Sequence, residues 1–301
     1  MTTPWRSGAS TGGAIYDRGY RHYQGPREGR TRPIKAILWA GIRRTLGIKR
    51  PWRTKIVPFG LLALAFVPAA VFVGVRVLIG EQADEFLSYP DFFGVIGITL
   101  LLFAATAGPE LLCPDQRQRV LTLVFTRPVS RLDYAAGKFG ALAVLMGTVA
   151  LLPMLLVYVG NALSAPSAFS YLRGNMGDLG RILVTGLVLT VFYALVSLAV
   201  ASLTDRRSIA TASLLGLFLA SAVLARILFY GAQIPGRRWL AFLALSDLPA
   251  EFVNWMFGRP PFEGDLAGEA GFAGSAYLIA LAVVAALSTA IVALRLRRVS
   301  P

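Results

Sequence analysis

Two residue types that build metal and catalytic centres are nearly absent from this 301-residue sequence. Cys113 is its only cysteine and His22 its only histidine. A lone cysteine excludes an intrachain disulfide and a thiolate metal cluster, and a lone histidine excludes a histidine-based metal site or catalytic triad within one chain. Since the apolar runs also lack a carboxylate pair, we expect no enzyme and no cofactor bound by this chain.

Charge is also scarce. Only 15% of the residues are charged, 55% are hydrophobic, and the mean hydropathy is +0.61. Soluble domains carry about a quarter charged residues, so this composition predicts a membrane protein.

Six windows contain no Asp, Glu, Lys or Arg: 56–75, 92–109, 139–172, 182–204, 208–225 and 270–294. Each is about as long as a helix that crosses a hydrocarbon core, and the third holds one span with a polar tail. The alternating pattern of a membrane barrel is missing. The sequence therefore predicts an all-α polytopic membrane protein with six transmembrane helices.

The distribution of basic residues predicts the orientation. With both termini in the cytoplasm, 23 of the 30 Lys and Arg lie inside and 10 of the 16 acidic residues lie outside. This satisfies the positive-inside rule, whereas the inverted orientation violates it. The net charge of +14 is then mostly a consequence of topology, and it favours contact with anionic membrane lipids over nucleic acid.

Residues 1–54 form a basic cytoplasmic tail followed by an amphipathic helix, and 55–298 form the six-span domain. The helix is predicted between Pro33 and Pro51, which suit its start and its stop. We expect it to lie at the membrane interface, with a helix packed on its own protein as the alternative. Its defining residues are Ile34, Ile37, Leu38, Trp39, Ile42, Arg43 and Arg44.

The external segment 226–270, between spans five and six, is more than a simple loop. It carries two aromatic patches, the first with Trp239 and Phe242 and the second with Phe252, Trp255 and Phe257. Ser246 or Asp247 can cap a helix there. External helices that dip into the outer leaflet and a purely structural lid both fit this pattern.

The segment 114–138 joins spans two and three on the cytoplasmic side. Pro114 and Asp115 suit the start of a helix that reads DQRQRVLTLVFT, and Pro128 should end it. Ser130 stands three residues before Asp133, which is the spacing of a capping box. The pattern predicts two helices joined by a rigid elbow. Such an elbow suits force transfer, and a plain turn is the alternative.

The phosphate-binding motif GxxxxGK[ST] is missing, because Gly137-Lys138 is followed by phenylalanine and no such glycine pattern precedes it. The chain therefore cannot cradle ATP phosphates itself. We also find no internal repeat and no ionisable residue in the middle of a span, so a secondary transporter has no support. Any transport must draw its energy from a partner.

The elbow at 127–131, which we name the joint, and the residues around it resemble the corresponding segment of the ABC type-2 exporter permeases. The resemblance rests on a glutamate near the end of span two, the run LTLVFTRPVSR, then Tyr134 and Gly137-Lys138. It departs from the family pattern upstream, where Arg119-Val120 replaces the usual Gly-Thr and Glu110 stands a few residues early. The motif covers about 25 residues, while the layout of helices agrees over nearly the whole chain.

The resemblance implies that 114–138 is a coupling helix region seated on a cytoplasmic ATPase, with the LTDRRS turn after span four as a second contact. The interface residues would be Arg117, Arg119, Thr126, Arg127, Pro128, Val129, Ser130, Arg131, Asp133, Tyr134, Asp205, Arg206 and Arg207. It also implies two permease copies, as a homodimer or with a related permease, and two ATPase subunits that bind ATP and Mg. The complex would lie in the bacterial cytoplasmic membrane.

On this basis we expect a permease subunit that moves an amphiphilic or lipid-like substrate outward. The alternative is an ATPase-driven mechanical or assembly component that acts on an extracytoplasmic partner protein.

Overall fold

The structure, a computed structural model, describes residues 29, 31–80, 88–118, 129–231, 236–261 and 266–298. These residues are helical apart from turns and short connections. The α-helices are α1 (Thr31–Thr45), α2 (Ile56–Ile79), α3 (Tyr89–Arg117), α4 (Arg131–Ser164), α5 (Ala168–Gly174), α6 (Met176–Ser202), α7 (Arg207–Gly231), α8 (Asp247–Met256), α9 (Leu266–Ala270) and α10 (Gly274–Arg298). Two 3-10 helices lie at Trp52–Thr54 and Arg237–Leu243.

Six of these helices, α2, α3, α4, α6, α7 and α10, are long and apolar enough to cross a membrane. They overlap the six charge-free windows in order, so the predicted helical class and number of candidate spans are confirmed. The third window ends as expected, because α4 stops at Ser164 and the short α5 follows.

The centre of the bundle consists of α3, α4 and α6, whose apolar stretches are mostly or half buried, while α2, α7 and α10 lie at the periphery. Small residues let the central helices approach closely, as is usual in membrane bundles. At Gly108 of α3, for example, an added Cβ would overlap with the Ser197 hydroxyl of α6. At Gly137 of α4, it would lie 2.8 Å from a methyl group of Ile37.

Polar contacts mark the two ends of the bundle. At one end, which we name the terminal end, the last residues of α10 lie beside the first residue of α4 and the end of α6. Arg131 donates to the Arg297 carbonyl at 3.1 Å, and Arg295 donates to the Leu203 carbonyl at 3.0 Å. At the opposite end, Arg259 pairs with Asp91 on α3 at 2.6 Å.

The predicted start of a new helix at Pro114 and Asp115 is wrong, because α3 continues from Tyr89 through Pro109 and Pro114 to Arg117. Proline cannot donate to the carbonyl four residues earlier. At Pro109 a neighbouring helix compensates, because Thr211 of α7 donates to the Ala105 carbonyl at 2.7 Å. Ser197 of α6 adds a contact to the preceding Ala104 carbonyl at 2.6 Å. Packing therefore lets the helix pass a residue that usually ends one.

Helix α1 packs along the first half of α4. Side chains of Ile37 and Leu38 face Gly137 and Gly140, and Ile42 is buried. Trp39, in contrast, is 58% exposed. One side of the predicted interfacial helix thus contacts its own protein, and the side that carries Trp39 stays open. Whether that side meets lipid stays a prediction.

The segment 226–270, which the sequence predicts to be external, contains the second 3-10 helix, α8 and α9. Phe252 is buried in the core, and Trp255 packs so closely on Gly274 that a Cβ there would overlap with the indole. Phe242 packs on Phe272 with ring centroids 4.7 Å apart, while Trp239 is largely exposed. Phe257 lies near Phe93. Most of the predicted external aromatics therefore anchor this segment to the bundle.

Candidate functional site

A buried ion cluster at the terminal end joins three helices, and we name it the Asp115 cluster. The Asp115 carboxylate on α3 pairs with Arg44 of α1 and with Lys138 of α4, whose Nζ lies 2.6 Å from Oδ2. The Tyr134 hydroxyl donates to the same oxygen at 2.9 Å. Lys138 also donates to the Leu111 carbonyl at 2.8 Å. These four side chains link α1, α3 and α4 at one point.

Because the charges of this cluster are buried, each of them depends on its partners. Asp115 is 7% exposed and Lys138 is 6% exposed. A buried charge is tolerated when partners replace its lost hydration, and removing one partner leaves the other charge uncompensated. The cluster therefore holds the last turns of α3 in a fixed register against α1 and α4.

A second ion cluster, the Glu110 cluster, lies one turn away on α3. Arg50 donates to Glu110 at 2.9 Å, and Arg207 at the start of α7 pairs with the other carboxylate oxygen. Arg50 reaches this position because the chain turns sharply after α1. There the amides of Gly47 and Ile48 donate to the carbonyls of Arg44 and Arg43 at 3.1 and 2.9 Å.

This turn is a Schellman motif, in which a residue with positive φ ends the helix. Gly47 takes that position with a φ of 65°, a conformation that favours glycine. The motif therefore explains locally how the sequence brings Arg50 back towards α3.

The start of α4 is fixed by the capping box that the sequence predicted. The Ser130 hydroxyl accepts from the Asp133 amide at 3.1 Å, and the Asp133 carboxylate accepts from the Ser130 amide at 3.1 Å. Val129, just before the cap, packs on a small apolar cluster that includes Leu112 and Tyr134. The described end of the predicted elbow is thus attached to the bundle.

The turn between α6 and α7, which contains Asp205 and Arg206, is attached to the same part of α3. Gln116 donates to the Ser202 carbonyl at 3.4 Å, and the Cys113 thiol donates to the Thr204 carbonyl at 3.4 Å. The start of α4 and the turn after α6, which are described parts of the two segments that the sequence predicted as ATPase contacts, therefore both contact the last turns of α3.

The predicted interface residues fall into three groups. Exposed or half-buried positions, which are available to a partner, are Arg117, Val129, Ser130, Arg131, Asp205, Arg206 and Arg207. Asp133 and Tyr134 are buried, and their contacts are internal to the chain. Arg119, Thr126, Arg127 and Pro128 lie outside the described residues.

Sequence reasoning missed the ion clusters themselves. It treated Arg44 as an interfacial residue, assigned no role to Arg50 and left Glu110 without a partner. One signal was present, because Glu110, Asp115 and Lys138 are charged residues close to charge-free windows. Such residues in a membrane protein usually face a partner inside the bundle.

The contacts of the two ion clusters position the ends of α1, α3, α4 and α7 against one another. Among the described residues, no group of three or more His, Cys, Asp and Glu side chains is placed to hold a metal ion. Cys113 is buried and its thiol contacts backbone carbonyls.

No protein-family model matches the chain, and no curated protein matches it.

Proposed function

We propose that this chain is the permease subunit of an ATP-binding-cassette exporter of the type-2 class, which moves an amphiphilic substrate outward. A separate ATPase binds ATP and Mg at the cytoplasmic face. The terminal end faces the cytoplasm, since that orientation satisfies the positive-inside rule.

One observation carries the proposal. Two parts of the segments expected to contact the ATPase, the start of α4 and the turn after α6, are both attached to the last turns of α3. Gln116 reaches that turn, and Asp115 holds the start of α4 through Tyr134 and Lys138. A displacement imposed on either segment is therefore passed to one membrane-spanning helix. A transporter whose ATPase is a separate subunit requires rigid coupling of this kind.

The face shared by α3 and α7 supports a transport pathway. At the opposite end, a cavity of about 530 Å³ is lined by Gly94, Ile98 and Leu101 of α3 and by Phe218 of α7, among others. At the terminal end, a cavity of about 620 Å³ lies between the same two helices. The 530 Å³ cavity is mostly apolar in its lining, which suits a lipid-like molecule.

The working complex contains two permease copies and two ATPase subunits. Closure of the ATPase dimer on ATP pushes the joint at 127–131, and α3 and α4 respond by shifting the pathway between the two permeases. This is a two-state switch, in which ATP binding favours one arrangement of the helices.

Co-purification from the native host tests the proposal. The tagged chain is extracted in mild detergent and its stoichiometric partners are identified by mass spectrometry. We expect a soluble P-loop ATPase close to one copy per permease, and ATP hydrolysis by the complex that responds to lipid or substrate.

Recovery of the chain without an ATPase would contradict the proposal. Recovery with an extracytoplasmic protein and an ATPase, but without transport activity in vesicles, would instead favour the mechanical alternative.

A further inference from the structure

The cavity at the terminal end is lined by several arginines, and the proposed coupling role does not explain why they are there. Its volume is about 620 Å³, and it lies between the turn after α1 and the facing parts of α2, α3 and α7. Four arginines line it, Arg44, Arg50, Arg53 and Arg207, together with one carboxylate, Glu110. We name it the arginine cavity.

The charges in the arginine cavity are unevenly satisfied. Glu110 pairs with both Arg50 and Arg207. Arg44 pairs with Asp115, which does not line the cavity. Arg53 is exposed and pairs with no carboxylate of the part of the chain that the structure describes. The cavity therefore has an excess of positive charge, and the exposed Arg53 guanidinium is accessible to an anion from outside the chain.

The remaining lining has two characters. Hydroxyl groups of Thr54 and Ser208 lie near the arginines, at the start of α2 and α7. Phe103 of α3, Val57 of α2 and Leu215 of α7 add apolar surface farther along these helices. Val57 is more than half exposed, so the apolar part opens towards the outside of the bundle between α2 and α7.

From this arrangement we infer that the arginine cavity binds an amphiphile with a phosphate head group. The phosphate contacts Arg53, with Arg50 and Arg207 nearby, and the acyl chain lies along Val57 and Leu215. Guanidinium groups bind phosphate through paired, charge-assisted hydrogen bonds. Basic pockets between membrane helices are suited to anionic lipid head groups.

The chain's own N-terminal tail is a poorer occupant. Residues 1–28 contain four arginines and two acidic residues, so their net charge has the same sign as that of the cavity. Charge complementarity therefore favours a phosphate over this tail.

Binding is measured by native mass spectrometry on the full 301-residue chain in detergent, titrated with dioctanoyl phosphatidic acid. Dioctanoylglycerol, which lacks the phosphate, is the matched neutral lipid. We expect Arg53→Gln to weaken phosphatidic acid binding about threefold to tenfold. Arg43→Gln, at an exposed arginine of α1 outside the cavity, should leave it unchanged.

Two further arms identify the source of the phosphate. Ala212→Trp fills the apolar side of the cavity and should weaken phosphatidic acid binding while Arg53 is intact. Inorganic phosphate should displace the lipid only at far higher concentration. Equal binding of the two lipids, equal effects of Arg53→Gln and Arg43→Gln, or full displacement by equimolar inorganic phosphate would each overturn the inference.

Arg53 and Ala212 are exposed, so their variants should keep the melting temperature of the parent chain. The inference does not rest on the proposed function, because no ATPase enters the measurement. Lipid binding by a chain that co-purifies with no ATPase would contradict the proposed exporter function and support the lipid site. Co-purification of an ATPase without lipid binding would support the exporter function and contradict the lipid site.

Discussion

The two ends of the bundle hold their charges in different ways. At the terminal end, Asp115 and Glu110 each pair with two cations, and their side chains are 10% and 8% exposed. At the opposite end, Asp91 has one ion-pair partner in the described part of the chain, Arg259, and both side chains are 36% exposed.

This difference separates a rigid end from an adaptable one. Exposed pairs contribute about 0–1 kcal/mol because water competes for both partners. Buried networks resist rearrangement, because every state that separates the charges leaves one of them dehydrated. The terminal end, which we propose receives the ATPase, is thus the end at which moving one helix must move its neighbours.

Asp115→Asn should produce the largest effect. It removes the charge that balances Lys138 and Arg44 in a buried site, at a cost of about 3–5 kcal/mol in the free energy of unfolding. The matched change at the opposite end, Asp91→Asn, should cost about 1 kcal/mol or less. Titration of SDS into detergent micelles measures both. Equal losses would remove the distinction between the two ends.

Gly108→Ala should cost about 1–3 kcal/mol, because the new methyl overlaps with Ser197 and overpacking forces the helices apart. Gly97→Ala on the same helix meets nothing within 4 Å and should not destabilise the protein. The same unfolding titration tests the pair. A neutral Gly108→Ala would mean that α3 and α6 are not in close contact there.

Thr211→Val should have the smallest effect on stability, about 1 kcal/mol, because it removes one hydrogen bond to the Ala105 carbonyl. In a Pro109→Ala background the backbone amide of residue 109 can donate to that carbonyl, and the cost should fall below half. A double-mutant cycle measures this coupling. Additive losses would show that Thr211 does not compensate for the proline.

The features that local patterns control were predictable. Charge-free windows located the six candidate spans because a helix in lipid must be apolar along its whole length. The capping box of Ser130 and Asp133 was predictable because its two residues are three apart in sequence.

Features that depend on distant residues were not predictable. Arg44, Asp115 and Lys138 are brought together by packing, and no local pattern links them. The helix start predicted at Pro114 was wrong for a related reason. The prediction relied on the local preference of proline, and the packing of α3 against its neighbours overrides that preference. At Pro109 the compensating donor, Thr211, lies 106 residues from the Ala105 carbonyl that it reaches.

The most direct test of the account is the ATPase activity of the purified permease–ATPase complex with a changed joint. Pro128→Gly combined with Arg131→Ala should leave the complex assembled but abolish the response of ATP turnover to lipid or substrate. Pro166→Gly combined with Arg173→Ala makes the same changes at exposed positions at and just before α5, and should leave the response intact. An unchanged response in the joint variant would contradict the claim that this segment couples the ATPase to α3 and α4.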